Sequence, residues 1–251
     1  MEKSSMITAV EILKTLEQYA DVKKAEAVAH YFKTGKGEYG EGDVFLGINV
    51  PTVRLVAKQY HEATLDVVKE LLQSEFHECR ACALFILVEM FKKAHKNDVL
   101  QKEIFDFYLS QTHRINNWDL VDASAPDIVG KYVLNRPRDI LYRLLESPLL
   151  WENRIAIVAN LCLIKAKDFN ETFCLIERLM AKAPKIHDLM QKASGWMLRE
   201  IHRNDGKNEL CNFLERHAAT MPRTMLRYAI EKMDARERAY YMTKRSSTSA
   251  K

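Results

Sequence analysis

Apolar residues recur at spacings of three and four along almost the whole chain, the signature of amphipathic helices. Ile7 to Tyr19 and Ala25 to Phe32 read as the first two. A polar, Gly-rich stretch from Thr34 to Asp43 follows them. The pattern then predicts helices over about 51–61, 64–73, 76–93, 97–114, 117–133, 137–146, 149–166, 170–182, 186–203, 207–218 and 222–243. Pro51, Pro148, Pro184 and Pro222 fall where helices begin or loops end, as proline prefers. No segment shows the two-residue alternation of a strand, and only 8 glycines and 6 prolines punctuate 251 residues.

Several of these helices share a short pattern: a basic residue followed by small and apolar positions. The copies are Arg80-Ala81-Cys82-Ala83, Arg154-Ile155-Ala156-Ile157, Lys192-Ala193-Ser194-Gly195 and Arg227-Tyr228-Ala229-Ile230, set 74, 38 and 35 residues apart. A degenerate copy, Val121-Asp122-Ala123-Ser124, falls inside the first gap. A period of about 37–40 residues with two helices per unit predicts HEAT-like repeats. Coincidence in a divergent helical protein is the alternative. The small residues let neighbouring helices approach closely, and the basic residue can sit on the concave surface.

Composition changes this picture little. Apolar residues make up 47% and charged residues 29%, and 38 basic against 34 acidic residues leave a formal charge of +4. That balance permits nucleic-acid binding only if the basic residues gather on one face. Five cysteines are too few and too scattered for a disulfide framework. No apolar run approaches the roughly 20 residues that span a bilayer, and no signal-like segment follows the opening Met-Glu-Lys-Ser-Ser. An intracellular, reducing compartment is expected.

Trp118 and Asp122 are four residues apart and so project from one helical face, whereas Asp119 would point elsewhere. An acid beside a repeat position that is otherwise basic is unusual. The alternative is a salt bridge from Asp122 to a neighbouring repeat, with Trp118 packed in the core. Gly195, just before Trp196, costs about 1 kcal/mol against alanine in a helix, which close approach by a neighbouring helix or a ligand would explain. Arg154 and Arg199 suit phosphate contacts, and either could equally pair with a carboxylate. Gly35-Lys36-Gly37-Glu38-Tyr39-Gly40 has the letters of a dinucleotide loop, but a helix precedes it and its acids would repel a pyrophosphate. It reads as a flexible loop. His77, Cys79 and Cys82 lie in one helix without a second Cys pair, so buried helix cysteines, not a metal site, are expected.

Together several segments resemble the AlkD-type DNA alkylation repair family. They are Tyr31-Phe32-Lys33-Thr34-Gly35 with the loop behind it, Phe45 to Pro51, Asn117-Trp118-Asp119-Leu120-Val121-Asp122, Trp151-Glu152-Asn153-Arg154 and Lys192 to Glu200, in order across roughly residues 20–235. The resemblance implies an all-α, HEAT-like (ARM/HEAT-type) solenoid, curved around a concave DNA-binding face. One domain would span residues 1–245, followed by a disordered tail at 246–251. It implies a glycosylase that removes positively charged N3- and N7-alkylated purines from duplex DNA without flipping the base. The protein would act as a monomer, with no cofactor and no metal. Carried across by motif, Asp122 resembles the catalytic carboxylate and Trp118 and Trp196 the aromatic pair beside the lesion's deoxyribose. Arg154 resembles a phosphate contact, and Tyr31, Arg54 and Arg199 match further DNA contacts. Some members of the family are catalytically silent and bind branched or distorted DNA. A protein-binding repeat scaffold is a third reading.

Overall fold

The computed structural model describes residues 7–244; the end of the expected domain at Arg245 and the tail beyond it lie outside them. The described residues are helical throughout, with no β-strand and one isolated parallel bridge between Val44 and Phe76. The chain packs as two compact units, Met1–Ile128 and Val129–Lys251.

The first unit contains α1 (Ala9–Glu17), α2 (Val22–Tyr31), α3 (Val50–Gln59), α4 (Leu65–Leu72), α5 (His77–Lys93), α6 (Asp98–Ser110) and α7 (Trp118–Ser124). Side-chain caps start most of them: Thr8, Asp21, Asn49, Thr64, Asn97 and Asn117 each accept a hydrogen bond from an amide of the first turn. Helix α5 is the core element, packed by α1, α3, α4, α6 and α7. Its apolar residues run round the whole cylinder, as a fully enclosed helix requires. Helix α2 lies at the other extreme, with no buried residue.

The second unit contains α8 (Lys131–Val133), α9 (Asp139–Leu145), α10 (Leu150–Val158), α11 (Asn160–Lys165), α12 (Asn170–Met180), α13 (Asp188–Arg203), α14 (Lys207–His217), α15 (Arg223–Ala229) and α16 (Ala235–Thr243). Helices α10 and α13 pack on each other and carry most of the remaining contacts. Gly195 is where α13 meets α15: a Cβ there would lie 2.4 Å from Tyr228 Cβ and 2.5 Å from the Met225 carbonyl oxygen. The neighbouring helix accounts for this glycine.

Four predicted helices are interrupted, each for a local reason. The helix over 97–114 ends at Ser110 and gives way to a 3-10 turn, Thr112–Arg114. Arg114 there donates to the carbonyls of Leu72, Gln73 and Ser74 and caps the end of α4. The helix over 117–133 widens into a π turn at Pro126–Gly130, because proline has no N–H to continue the ladder. The helix over 149–166 breaks after Val158, where Asn160 Nδ2 bonds back to the Ala156 and Ile157 carbonyls. The helix over 222–243 breaks before Asp234, which forms a capping box with Glu237 and starts α16 afresh.

The basic residues of the repeat do not all reach solvent. Arg80 and Arg154 are buried, and their guanidinium groups donate to main-chain carbonyls: Arg80 to Ser74 and Glu75, Arg154 to Leu189. Lys192 pairs with Asp188 at 2.6 Å, and Arg227 is exposed.

Candidate nucleic-acid site

The Gly-rich segment between α2 and α3 is shaped by its own acids. Glu38 accepts from the Gly35 amide at 3.0 Å and Glu41 from the Gly37 amide at 2.8 Å. Beyond it, Gly47 takes φ +81°, and a Cβ there would strike the Asp21 carbonyl at 2.1 Å. The buried Glu78 carboxylate, in the first turn of α5, accepts from the amides of Leu46, Gly47 and Ile48 at 2.9, 2.8 and 3.1 Å. These contacts carry Asp43 and Phe45 into the interior of the unit.

Asp43 is the hub of a buried network. It accepts from Arg80 Nη2, from His77 Nδ1 at 3.1 Å and from Asn117 Nδ2 at 2.8 Å. Asn117 Oδ1 in turn accepts from the Trp118 amide at 2.8 Å, which opens α7. On its other side, His77 Nε2 meets Asp119 Oδ2 at 2.8 Å. Burial raises the Asp43 carboxyl, but the His77 bond, the Arg80 charge and Asn117 together hold it below its usual value. Burial likewise opposes charge on His77. Its bonds to Asp119 and Asp43, and their charges, win and push it up to about 9.

Above this network lies a cavity of about 550 Å³, walled by apolar and aromatic side chains. Trp118 stacks on Phe32, with ring centres 5.2 Å apart and planes at 11°, and meets Tyr31 edge-on at 6.2 Å. Phe45 stacks on His77 at 4.7 Å. The Arg54 guanidinium lies 4.0 Å above the Phe85 ring. Tyr31, Arg54, Trp118 and Asp122 all line this cavity, so four of the residues singled out in the sequence share one wall space. Trp118 and Asp122 are both half-buried. Asp119 does not point elsewhere as expected: it lines the same cavity while its carboxylate faces His77. Cys79 and Cys82 are buried helix cysteines, their thiols pushed by burial to about 11 and about 12.

In the second unit, Arg154 is buried on α10 with its guanidinium on the Leu189 carbonyl. Trp196 on α13 is half-buried and its indole N–H donates to Glu200 at 3.1 Å. Arg199 pairs with Glu231, the carboxylate alternative of the two open for it. Among the described residues, no three His, Cys, Asp or Glu side chains are grouped to hold a metal ion. No described helix is long and apolar enough to cross a membrane.

The family model of the DNA alkylation repair enzymes matches residues 12–233, nearly the whole described chain. The chain belongs to this family. A solved structure described as a predicted DNA alkylation repair enzyme from Enterococcus faecalis superposes with a TM-score of 0.64 at 16% identity, covering 86% of this chain and 97% of that one. This likeness gives the family member an all-helical repeat fold. No curated protein matches the chain.

Proposed function

We propose that this member of the DNA alkylation repair family is a DNA glycosylase for positively charged N3- and N7-alkylated purines in duplex DNA. The observation that carries the reading is that Trp118 and Asp122, one helical turn apart, line the same aromatic cavity. An N-alkylated purine is cationic and already a good leaving group, so its expulsion needs no strong acid. Breaking the glycosidic bond leaves an oxocarbenium-like sugar. The Asp122 carboxylate stabilises that charge at C1′ and orients the attacking water. The Trp118 indole face adds cation–π attraction to the developing cation.

Trp196 takes the second aromatic role at the lesion's sugar, and Arg154 a phosphate beside it. Tyr31, Arg54 and Arg199 contact the DNA backbone and fix register. The repeats are HEAT-like and bind the duplex. The chain acts as a monomer, as one domain over residues 1–245, and reaches the lesion from the sugar side without flipping the base.

Methylated duplex DNA tests this directly. Release of free 3-methyladenine or 7-methylguanine is expected from the wild type. Asp122→Asn should abolish release while DNA affinity is kept. An Asp122→Asn variant as fast as wild type would refute the catalytic assignment. A wild type that binds duplex but releases no base would make it a silent DNA-binding module.

A further inference from the structure

The buried network beneath the cavity joins three elements at one side chain. His77 opens α5, yet its two ring nitrogens reach a loop acid, Asp43, and an acid of α7, Asp119. Both partners are carboxylate oxygens, which only accept, so both nitrogens must carry a proton. The ring faces are also used: Phe45 stacks on it at 4.7 Å and Phe32 lies 5.1 Å away. Phe32 is the ring on which Trp118 stacks. His77 therefore touches both supports of Trp118, the acid beside it and the ring beneath it.

We infer that His77 is a positioning residue for the site, an imidazolium clamp that fixes the first turn of α7, and with it Trp118 and Asp122, against the loop at 43–48. This rests on the glycosylase reading for its functional consequence, though not for its geometry. The clamp also sets charge. Asp119 lines the cavity and its Oδ1 is buried without a hydrogen bond, so its negative charge is balanced through Oδ2 by His77. Removing that balance would leave the Asp119 carboxylate unmatched one position from Trp118, where it would compete for the lesion's cation. The charged groups around the clamp are Asp43 from the loop, with Arg80 of α5 behind it, and Asp119 from α7. Helix α2 and the loop present the Phe32 and Phe45 rings. The raised affinity of His77 for its proton agrees with this arrangement.

Two variants of the full chain and one spectroscopic titration test the clamp. In His77→Gln, base release should fall about ten-fold or more, because misplacement of about 1 Å costs that much or more. Duplex affinity and far-UV circular dichroism should hold. Wild-type release should decline as pH rises through about 9, and His77→Gln should lack that decline. In NMR, the His77 ring should titrate near that pH, and the Trp118 indole cross-peak should move with it. Asp119→Asn, which keeps the ring but removes one charge, should lower the midpoint by about one unit or more. A His77→Gln variant with wild-type rate and pH profile overturns the clamp. So does a ring that titrates near the ordinary value while the Trp118 signal stays blind to it. If the wild type releases no base, the glycosylase reading falls, and the NMR titration alone still decides the clamp.

Discussion

Glu78→Gln isolates what holds the cavity's loop in place. The wild-type carboxylate accepts three amides: Gly47 and Ile48 on Oε1, Leu46 on Oε2. A glutamine keeps one accepting oxygen, which can retain the first pair. Its NH2 must then face the Leu46 N–H, donor against donor. One part-buried amide loses its partner, at about 1–3 kcal/mol, and two buried ones lose the added strength of an ionised acceptor. The expected cost is about 3 kcal/mol, a large share of the 5–15 kcal/mol typical of a folded domain. Urea unfolding should show a lower midpoint with an unchanged slope. Hydrogen exchange should accelerate at Leu46, Gly47 and Ile48 well before it does in α5. If those three amides stay as protected as in the wild type, the loop is held by something other than Glu78, and the account of the cavity wall is wrong.

Two further expectations follow from the packing and the buried charge. Gly195→Ala gains about 1 kcal/mol of helix propensity but drives a Cβ into the Met225 carbonyl and Tyr228 Cβ. A net loss of about 1–2 kcal/mol in chemical denaturation is expected, and a stabilised variant would contradict the close α13–α15 contact. For pH, His77 binds its proton more tightly folded, at about 9 against 6.5 unfolded. Its contribution is fully present below pH 6.5 and is lost as pH rises to 9, about 3 kcal/mol in all. Urea titrations at pH 6, 7.5 and 9 should show this slope, and His77→Gln should flatten it; equal slopes would remove His77 as the cause.

The helical class and the shared face of Trp118 and Asp122 were legible because both depend on the 3.6-residue period alone. Gly195 was legible too, since a glycine inside a strong helical pattern asks for a close neighbour. Two of the four helix breaks carried local signals: Asp234 with Glu237 three residues on, and Pro126. The break at Asn160 did not, because an asparagine bonding back to its own helix leaves the apolar spacing unchanged. Asp119 was misread for a different reason. Periodicity gives the direction a side chain leaves its helix but not the width of the space it enters, and here the cavity extends round to the next row. Its partner, His77, lies 42 residues earlier in the chain. His77 itself was visible only as a poor metal ligand beside two cysteines.

The first turn of α5 explains why these distant residues form one site. The helix is apolar on every side, yet it buries His77, Glu78 and Arg80 at its start. Glu78 is favoured there by the helix dipole, whereas a cation at His77 is not. That cation is retained because two carboxylates flank it, and Arg80 shares one of them. A half-satisfied buried network costs more than an apolar core. Each of the three side chains therefore tolerates only one placement of its partners: the 46–48 amides on Glu78, Asp43 on Arg80 and His77, and Asp119 on His77. Helix α7 carries Trp118 and Asp122, but it is short and begins on Asn117, which is itself bound to Asp43. Its position is thus set by the polar turn of α5, through the loop bound to both, as well as by its own packing on α5.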